Sequence, residues 1–384
     1  MPRLLTFALF LSILITLTGS AHYYLWSRLV RDPGLPASTT RALSYALIFL
    51  FAAIPASLFL RRSPLGGSIQ ALVWLAMTWL GLLLFLTLAV GAADLVRGVW
   101  QVSRAWSDAE PILPARRQAI ARLLAGSAAL VAGTLGLWSL RAGLGRVMIK
   151  RVEVSLARLP PALSGTRIVQ LSDVHVGPTI HRGFIETIVA QCNALTPDLV
   201  VITGDLVDGS VEELREHVAP LANLRSKYGV FFVTGNHEYY SGAAAWCSEL
   251  ERLGVRVLRN ERVSIGNEDA SFDLAGVDDH SAGEDLPKAL LGRDLRRELV
   301  LLAHQPRTIF EAKDHGVGLQ LSGHTHGGQL WPWTYLVRLQ QPVVAGLARF
   351  GNSLVYVSRG TGYWGPPMRL GAPSEIAELT LRSA

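Results

Sequence analysis

Charged residues are scarce in this 384-residue chain, only 17% of it, while half is hydrophobic. That balance excludes a single soluble domain of ordinary composition and calls for a membrane part joined to a globular part. Acidic residues are scarcest at the start. Residues 1–151 hold 4 Asp and Glu against 15 Lys and Arg, whereas residues 152–384 hold 26 against 21. The sequence pI near 9.5 therefore belongs to the first part. Nucleic acid is excluded as a partner, because the globular part has no overall positive field. Basic loops flanking apolar segments suit anionic lipid head groups instead. Cysteine is nearly absent. Cys192 and Cys247 form neither a CxxC pair nor a Cys/His zinc spacing. They are either one disulfide or, as expected here, a buried pair of free thiols. There is no internal repeat and no long low-complexity tract.

What is present begins with long apolar runs. Uncharged stretches cover 4–27, 42–60, 63–93 and 123–140. A helix needs roughly 20 apolar residues to cross a bilayer. The stretches predict an α-helical membrane domain, 1–146, with four transmembrane helices at about 4–27, 42–60, 66–93 and 120–140. The fourth is shorter and rich in small residues, which suits helix–helix packing. Trp26, Trp74, Trp79 and Trp138 either anchor at interfaces or face one another, and Pro55 is placed to kink the second span. The first span reads as a retained helix. A cleaved signal peptide is the alternative, with Arg3 and the GSA of 19–21 as its signs. Apart from His22, only tyrosines are ionisable within the stretches, which argues against a transporter. Basic residues divide about evenly between the two sides, so they do not choose an orientation.

From about Val152 the pattern changes. Short apolar runs at 167–171, 198–202, 229–233, 299–302, 318–321 and 354–357 end in glycine or polar clusters and read as buried strands. Segments 182–195 and 211–224 have helical spacing between them. This alternation predicts an α/β domain, 147–384, with helices covering sheet faces.

Five of the predicted strands end in possible metal ligands. LSDVHVG carries Asp173 and His175. ITGDLVDG carries Asp205. VTGNHEYY carries Asn236 and His237. LLAHQP carries His304, and SGHTHGGQ carries His324 and His326. Ligands gather beyond the carboxyl ends of strands in α/β sheets. Each motif alone is more often an ordinary turn; five in series are not. Asp, Asn and His without Cys favour Mn, Fe or Zn over calcium or structural zinc. Seven ligands exceed the four of one tetrahedral zinc and suit two ions sharing a bridging carboxylate, the usual arrangement for phosphate hydrolysis.

The series D-x-H, G-D-x-x-D-G, G-N-H-E, H and G-H-T-H resembles the calcineurin-like metallophosphoesterases over about 165–382. SGHTHGGQ, with the tail VSRGTGYWGPPMRLGAPSEI, is similar to the bacterial membrane-anchored branch. That branch includes transmembrane phosphoesterases and some UDP-2,3-diacylglucosamine hydrolases of lipid A synthesis. The resemblance implies a four-layer αββα sandwich and two divalent ions, manganese first, then iron or zinc. It implies that Asp173, His175 and His326 hold one ion, that Asn236, His304 and His324 hold the other, and that Asp205 bridges them. His237 is implied as the general acid. The location it implies is the bacterial inner membrane; four spans put both termini on one side, expected here to be the cytoplasm.

Other residues keep two readings. Asp208 either orients a ligand or is a turn carboxylate. Glu238 is either structural or supports a ligand. Arg359 either contacts an anionic substrate or forms a surface ion pair, and Arg369 is a weaker candidate. His181, His280 and His315 read as surface or loop histidines. Trp331, Trp333, Tyr363 and Trp364 either wall a site for an acyl chain, enter a head-group zone, or simply pack. The expectation is a membrane-anchored phosphodiesterase or pyrophosphatase acting on a lipid-linked or nucleotide-type phosphoester. Lipid A synthesis is the specific alternative, and a non-catalytic sensor of phosphorylated ligands is the alternative from another class. Membrane lipids are expected contacts, and no protein partner is expected.

Overall fold

A computed structural model describes residues 2–60, 67–106 and 113–384. Residues 63–66 of the third expected span lie outside the described residues. The chain divides into two units. One runs to Arg141 and includes Gly365–Met368; the other comprises Ala142–Trp364 and Arg369–Ala384.

The first unit contains α1 (Pro2–Leu25), which continues as a π-helical turn over Trp26–Arg31, then α2 (Ala37–Leu60), α3 (Gly67–Ala105) and α4 (Pro114–Gly143). All four helices are long and apolar enough to cross a membrane. Pro55 lies inside α2. Helix α3 runs past the uncharged stretch to Ala105, because DLVRGVWQVSRA contains no proline to stop it. The acid this adds, Asp94, is paired. Asp94 accepts hydrogen bonds from Arg28 and Tyr24, each at 2.8 Å, and Arg28 also reaches Asp32 at 2.8 Å. Two indoles have polar partners within the unit: Trp79 donates to His22 Nε2 and Trp26 to Ser44, both at 2.9 Å. Trp138 is exposed.

The second unit is built on two six-stranded sheets. Sheet one, in spatial order, is β1 (Met148–Leu156), β12 (Glu375–Ser383), β2 (Arg167–Leu171), β3 (Leu199–Thr203), β4 (Val230–Val233) and β5 (Arg256–Val257). Sheet two is β10 (Gly346–Phe350), β11 (Ser353–Val357), β9 (Leu319–Ser322), β8 (Leu299–Leu302), β7 (Ser271–Gly276) and β6 (Glu261–Gly266). Strands β2 to β5 run parallel, as do β11, β9, β8 and β7. All six predicted strands occur within a residue of their expected bounds. Of the other six, β1, β6 and β10 mix charged and apolar residues along half-exposed edges, β5 is two residues long, and β7 and β12 are interrupted by Asp273 and Glu378.

Strand alternation sorts the core into layers. Leu199, Val201, Phe231 and Val233 face Phe272, Leu274, Val300 and Leu302 between the sheets. Val200, Ile202 and Phe232 turn to the opposite face. They pack there on Ile185, Ile188 and Cys192 of α5 (Arg182–Ala194), and on Leu214 of α6 (Val211–Val218). Leu299 and Leu301 cover the far face of sheet two with Leu286 and Ile309. The order is helix, sheet, sheet, helix. The helix expected over 211–224 stops at Val218 and continues as a 3₁₀ turn through Asn223; Pro220 has no N–H to extend the ladder. Cys192 and Cys247 are free and buried.

Candidate metal centre

The turns after β2, β3, β4, β8 and β9 meet at one end of the two sheets. Beneath them, Gln170 Nε2 ties the sheets together, donating to Thr203 Oγ1 at 2.8 Å and to Ser322 O at 2.9 Å. Past the strand ends the main chain keeps pairing: Asp173 N donates to Gly204 O and His175 N to Asp205 O, each at 3.1 Å. Holding this course forces unusual backbone. Asp173, His175, Asp205, His324 and His326 all have φ between 50° and 71°. Such left-handed residues each cost about 1–2 kcal/mol, and they persist where surrounding structure demands them. Glycine completes the cradle. A Cβ on Gly235 would overlap Asp205 Oδ1, and one on Gly323 would overlap Asp173 Oδ2.

Two groups of donors result. In the first, His175 Nε2 lies 3.0 Å from His326 Nε2, and His326 Nε2 lies 3.6 Å from Asp173 Oδ1. In the second, His324 Nδ1 lies 3.1 Å from Asn236 Oδ1 and 3.2 Å from His304 Nε2. Asp205 Oδ2 reaches both groups, 3.1 Å from His304 Nε2 and 3.9 Å from His175 Nε2. Asp173, His175 and His326 form one possible metal-holding group, and Asp205, His304 and His324 another.

This donor set fits divalent ions. Two imidazole nitrogens 3.0 Å apart can share one proton or one cation, and Asp173 Oδ2 is buried with no hydrogen-bond partner. The electrostatics agree. Burial opposes ionisation of Asp205, but the charge and hydrogen bond of His304 outweigh it and hold the carboxylate well below its usual range. Burial likewise opposes the His304 imidazolium, yet Asp205 pushes it up to about 10. Burial and the charge on His304 push His324 down to about 4, and burial with His175 pushes His326 down as well. His324 and His326 are thus neutral and Asp205 ionised, the states that metal binding requires, whereas His304, an imidazolium against Asp205, would release its proton to a bound ion.

Outer groups fix these side chains. His304 Nδ1 donates to Thr203 O at 2.8 Å, which leaves Nε2 facing inward. Asp208 Oδ1 sits between His175 Nδ1 at 3.2 Å and His237 Nδ1 at 2.5 Å, so it orients two histidines at once. His237 Nε2 then lies 4.0 Å from Asp205 Oδ2. Burial disfavours the His237 imidazolium, but the hydrogen bond to Asp208 and the nearby carboxylates outweigh it, pushing His237 up to about 9. Glu238 is fully buried and accepts from the main-chain N–H groups of Asp205, Leu206 and Gly235, which staples two ligand turns together.

Not every candidate joins the cluster. Arg359 Nη1 is paired with Glu375 Oε2 at 2.9 Å. His181 packs its ring on His217, and His280 bonds Glu284. Tyr363 is buried and donates to Thr179 O at 3.2 Å. Arg369, the weakest candidate in the sequence, is fully buried against the centre. Its Nη1 donates to His326 O at 3.1 Å and to the carbonyls of Arg359 and Ala372, and Nη2 lies 3.3 Å from His326 Nδ1. Sequence reasoning undervalued it because its partners are mostly main-chain oxygens, which no spacing reveals.

A two-sheet α/β domain with Asp, Asn and His converging at one end of its strands defines a metal-dependent phosphoesterase class. The chain belongs to the calcineurin-like phosphoesterase family, which matches residues 166–328. It is 31% identical to an uncharacterized metallophosphoesterase of Campylobacter jejuni, over 98% of this chain and 99% of that one. It is 44% identical to a Bos taurus protein described as a transmembrane protein with metallophosphoesterase domain, over 62% of this chain and 57% of that one. The Danio rerio protein of the same description is 41% identical, over 61% and 57%. The chain thus spans little more than half the length of these vertebrate relatives. Four apolar helices and relatives described as transmembrane point to a membrane protein.

Proposed function

We propose that the chain is a membrane-anchored, two-metal phosphoesterase, with 1–146 as anchor and 147–384 as catalytic domain. Supporting it is one observation above all: Asp205 Oδ2 stands within 4 Å of imidazoles from both donor groups. Asp173, His175 and His326 would hold one ion and Asn236, His304 and His324 the second, with Asp205 within reach of both groups. Two divalent ions, manganese by preference, would supply an acidified water as nucleophile and positive charge against the phosphate oxygens.

The chain's own residues do the rest. Asp208 accepts from His237 Nδ1–H and, with the nearby carboxylates, favours the imidazolium, in which Nε2 also carries a proton for the leaving oxygen. Glu238 and Gly235 hold the Asp205 and Asn236 turns at a set spacing, which positions the phosphate between attacking water and leaving group. The substrate is a phosphodiester or pyrophosphate, lipid-linked or nucleotide-type, met at the cytoplasmic face of a bacterial inner membrane.

The test is hydrolysis by the full-length, detergent-solubilised protein, stripped of metal and given Mn²⁺, with a phosphodiester, a phosphomonoester and UDP-2,3-diacylglucosamine side by side. Metal-dependent release is expected. Release from the glycolipid alone would assign lipid A synthesis; release from the simple diester alone would remove it. No turnover of any substrate by folded, metal-loaded protein would overturn the enzyme reading.

A further inference from the structure

Residues 152–384 carry net negative charge, yet the 60 residues from 315 to 374 contain four arginines and no Asp, Glu or Lys. Exposed apolar side chains gather in the same stretch. Trp331, Trp333, Tyr335, Leu336, Leu339 and Trp364 are all exposed, Leu339 to 82%. Five of the six fall within nine consecutive residues, WPWTYLVRL. Soluble surfaces rarely concentrate apolar side chains this way unless something covers them. Tyr363, also aromatic and in the same stretch, is buried with its hydroxyl bonded. Packing therefore accounts for Tyr363 and leaves the six unexplained.

The patch lies on the rim of the metal centre. Thr334 Oγ1 donates to Gly327 O at 3.2 Å, one residue past His326. The Gln329 side chain bonds both main-chain groups of Trp364, at 2.9 and 3.0 Å. The Trp364 ring lies 5.7 Å from the His237 ring.

Composition selects what covers it. Tryptophan and tyrosine are the residues enriched at the membrane head-group level. Arg338 is exposed among them, its guanidinium 5.9 Å from the Tyr335 ring, and the missing carboxylates remove repulsion from an anionic surface. The chain also carries its own candidate membrane spans, and only four residues separate the end of α4 at Gly143 from the start of β1 at Met148. We propose that segment 331–339, with Trp364, docks on the head-group zone of an anionic lipid membrane and brings the rim of the centre to the bilayer surface. The preferred substrates are then phosphoesters presented by the membrane itself. The docking stands on the patch alone; its use in turnover rests on the proposed function.

The test uses full-length protein in nanodiscs of phosphatidylcholine, with or without phosphatidylglycerol, containing head-group nitroxide lipid. A fluorophore is placed at Leu339→Cys or Tyr335→Cys, with Leu291→Cys, which replaces another highly exposed leucine, as reference. Cys192 and Cys247 are buried and stay unlabelled. Quenching should be strong at 339 and 335, weak at 291, and stronger with phosphatidylglycerol. Arg338→Gln should reduce that anionic enhancement about fivefold. Quenching at 339 no greater than at 291 overturns the docking, whatever the enzyme does. A second measurement reads function. Trp333→Ser with Leu336→Ser should slow hydrolysis of a lipid-presented diester and leave a water-soluble diester unchanged. Equal rates on both substrates, before and after substitution, overturn the link to substrate; no release from either substrate by the unsubstituted protein would instead count against the phosphoesterase reading.

Discussion

The two sheets contribute unequally to the centre. Sheet one brings every oxygen donor, from Asp173, Asp205 and Asn236, along with His175. Sheet two brings only imidazoles, from His304, His324 and His326. All the formal negative charge that would attract dications therefore hangs from sheet one, while sheet two sets direction. The supports differ in the same sense. Glu238 and Asp208 brace sheet one's turns with carboxylates, whereas His304 is held by a carbonyl and His326 by the Arg369 guanidinium. Charge and aim are thus separate properties that substitutions can remove one at a time.

Asp205→Asn removes charge and keeps shape, so it breaks the comparison most severely. It should lower turnover by more than the ~100-fold that an outer-group change can cost, with metal content per chain falling in parallel. His237→Asn tests the proton rather than the metals. It should cost ~10²–10⁴-fold in turnover, with both ions retained by elemental analysis. The pH profile sharpens this. The His237 proton is held to about 9 without metals, and nearby dications lower that value. Turnover that needs the imidazolium should fall as pH rises through a limb at or below about 9, and the limb should vanish in the Asn variant.

Asp208→Asn and Arg369→Met compare the two supports. Each should cost ~10–100-fold in activity or metal affinity. The Asp208 change should also shift the alkaline limb, because it alone touches His237; the Arg369 change should leave the limb in place and weaken metal retention. The smallest effect concerns groups outside the centre. Burial pushes the Cys192 thiol up to about 12 and Cys247 up to about 11, so neither is a thiolate at pH 8. A thiol reagent should modify neither in the folded protein and both after denaturation.

Much of this centre was legible because its chemistry is carried by residue type at strand ends. Asp173, His175, Asp205, Asn236, His237, His304, His324 and His326 all follow apolar runs, and the structure brings all eight together. The α/β alternation was legible where strands are buried on both faces and read as continuous apolar runs, as in LVVIT of β3. It failed for β1 and β6, whose charged residues mask a strand period. It failed for the last turn of α6, where Pro220 cut a helical apolar spacing short. The supports were the least legible. Glu238 and Arg369 act on main-chain groups, and a side chain aimed at main chain leaves no partner residue for a pattern to find.

Strand β12 occupies an unusual place in the order of synthesis. It lies between β1 and β2, and β1 pairs with it along its whole length, Met148 with Glu375 through Leu156 with Ser383. The ribosome makes β1 directly after α4, but β1 has no sheet neighbour until residues 375–383 emerge more than two hundred residues later. Helices α1–α4 can enter a membrane while the catalytic domain is still incomplete. Sheet one then closes only once residues 375–383 have emerged, so chains cut short before them would be inserted without ever assembling it.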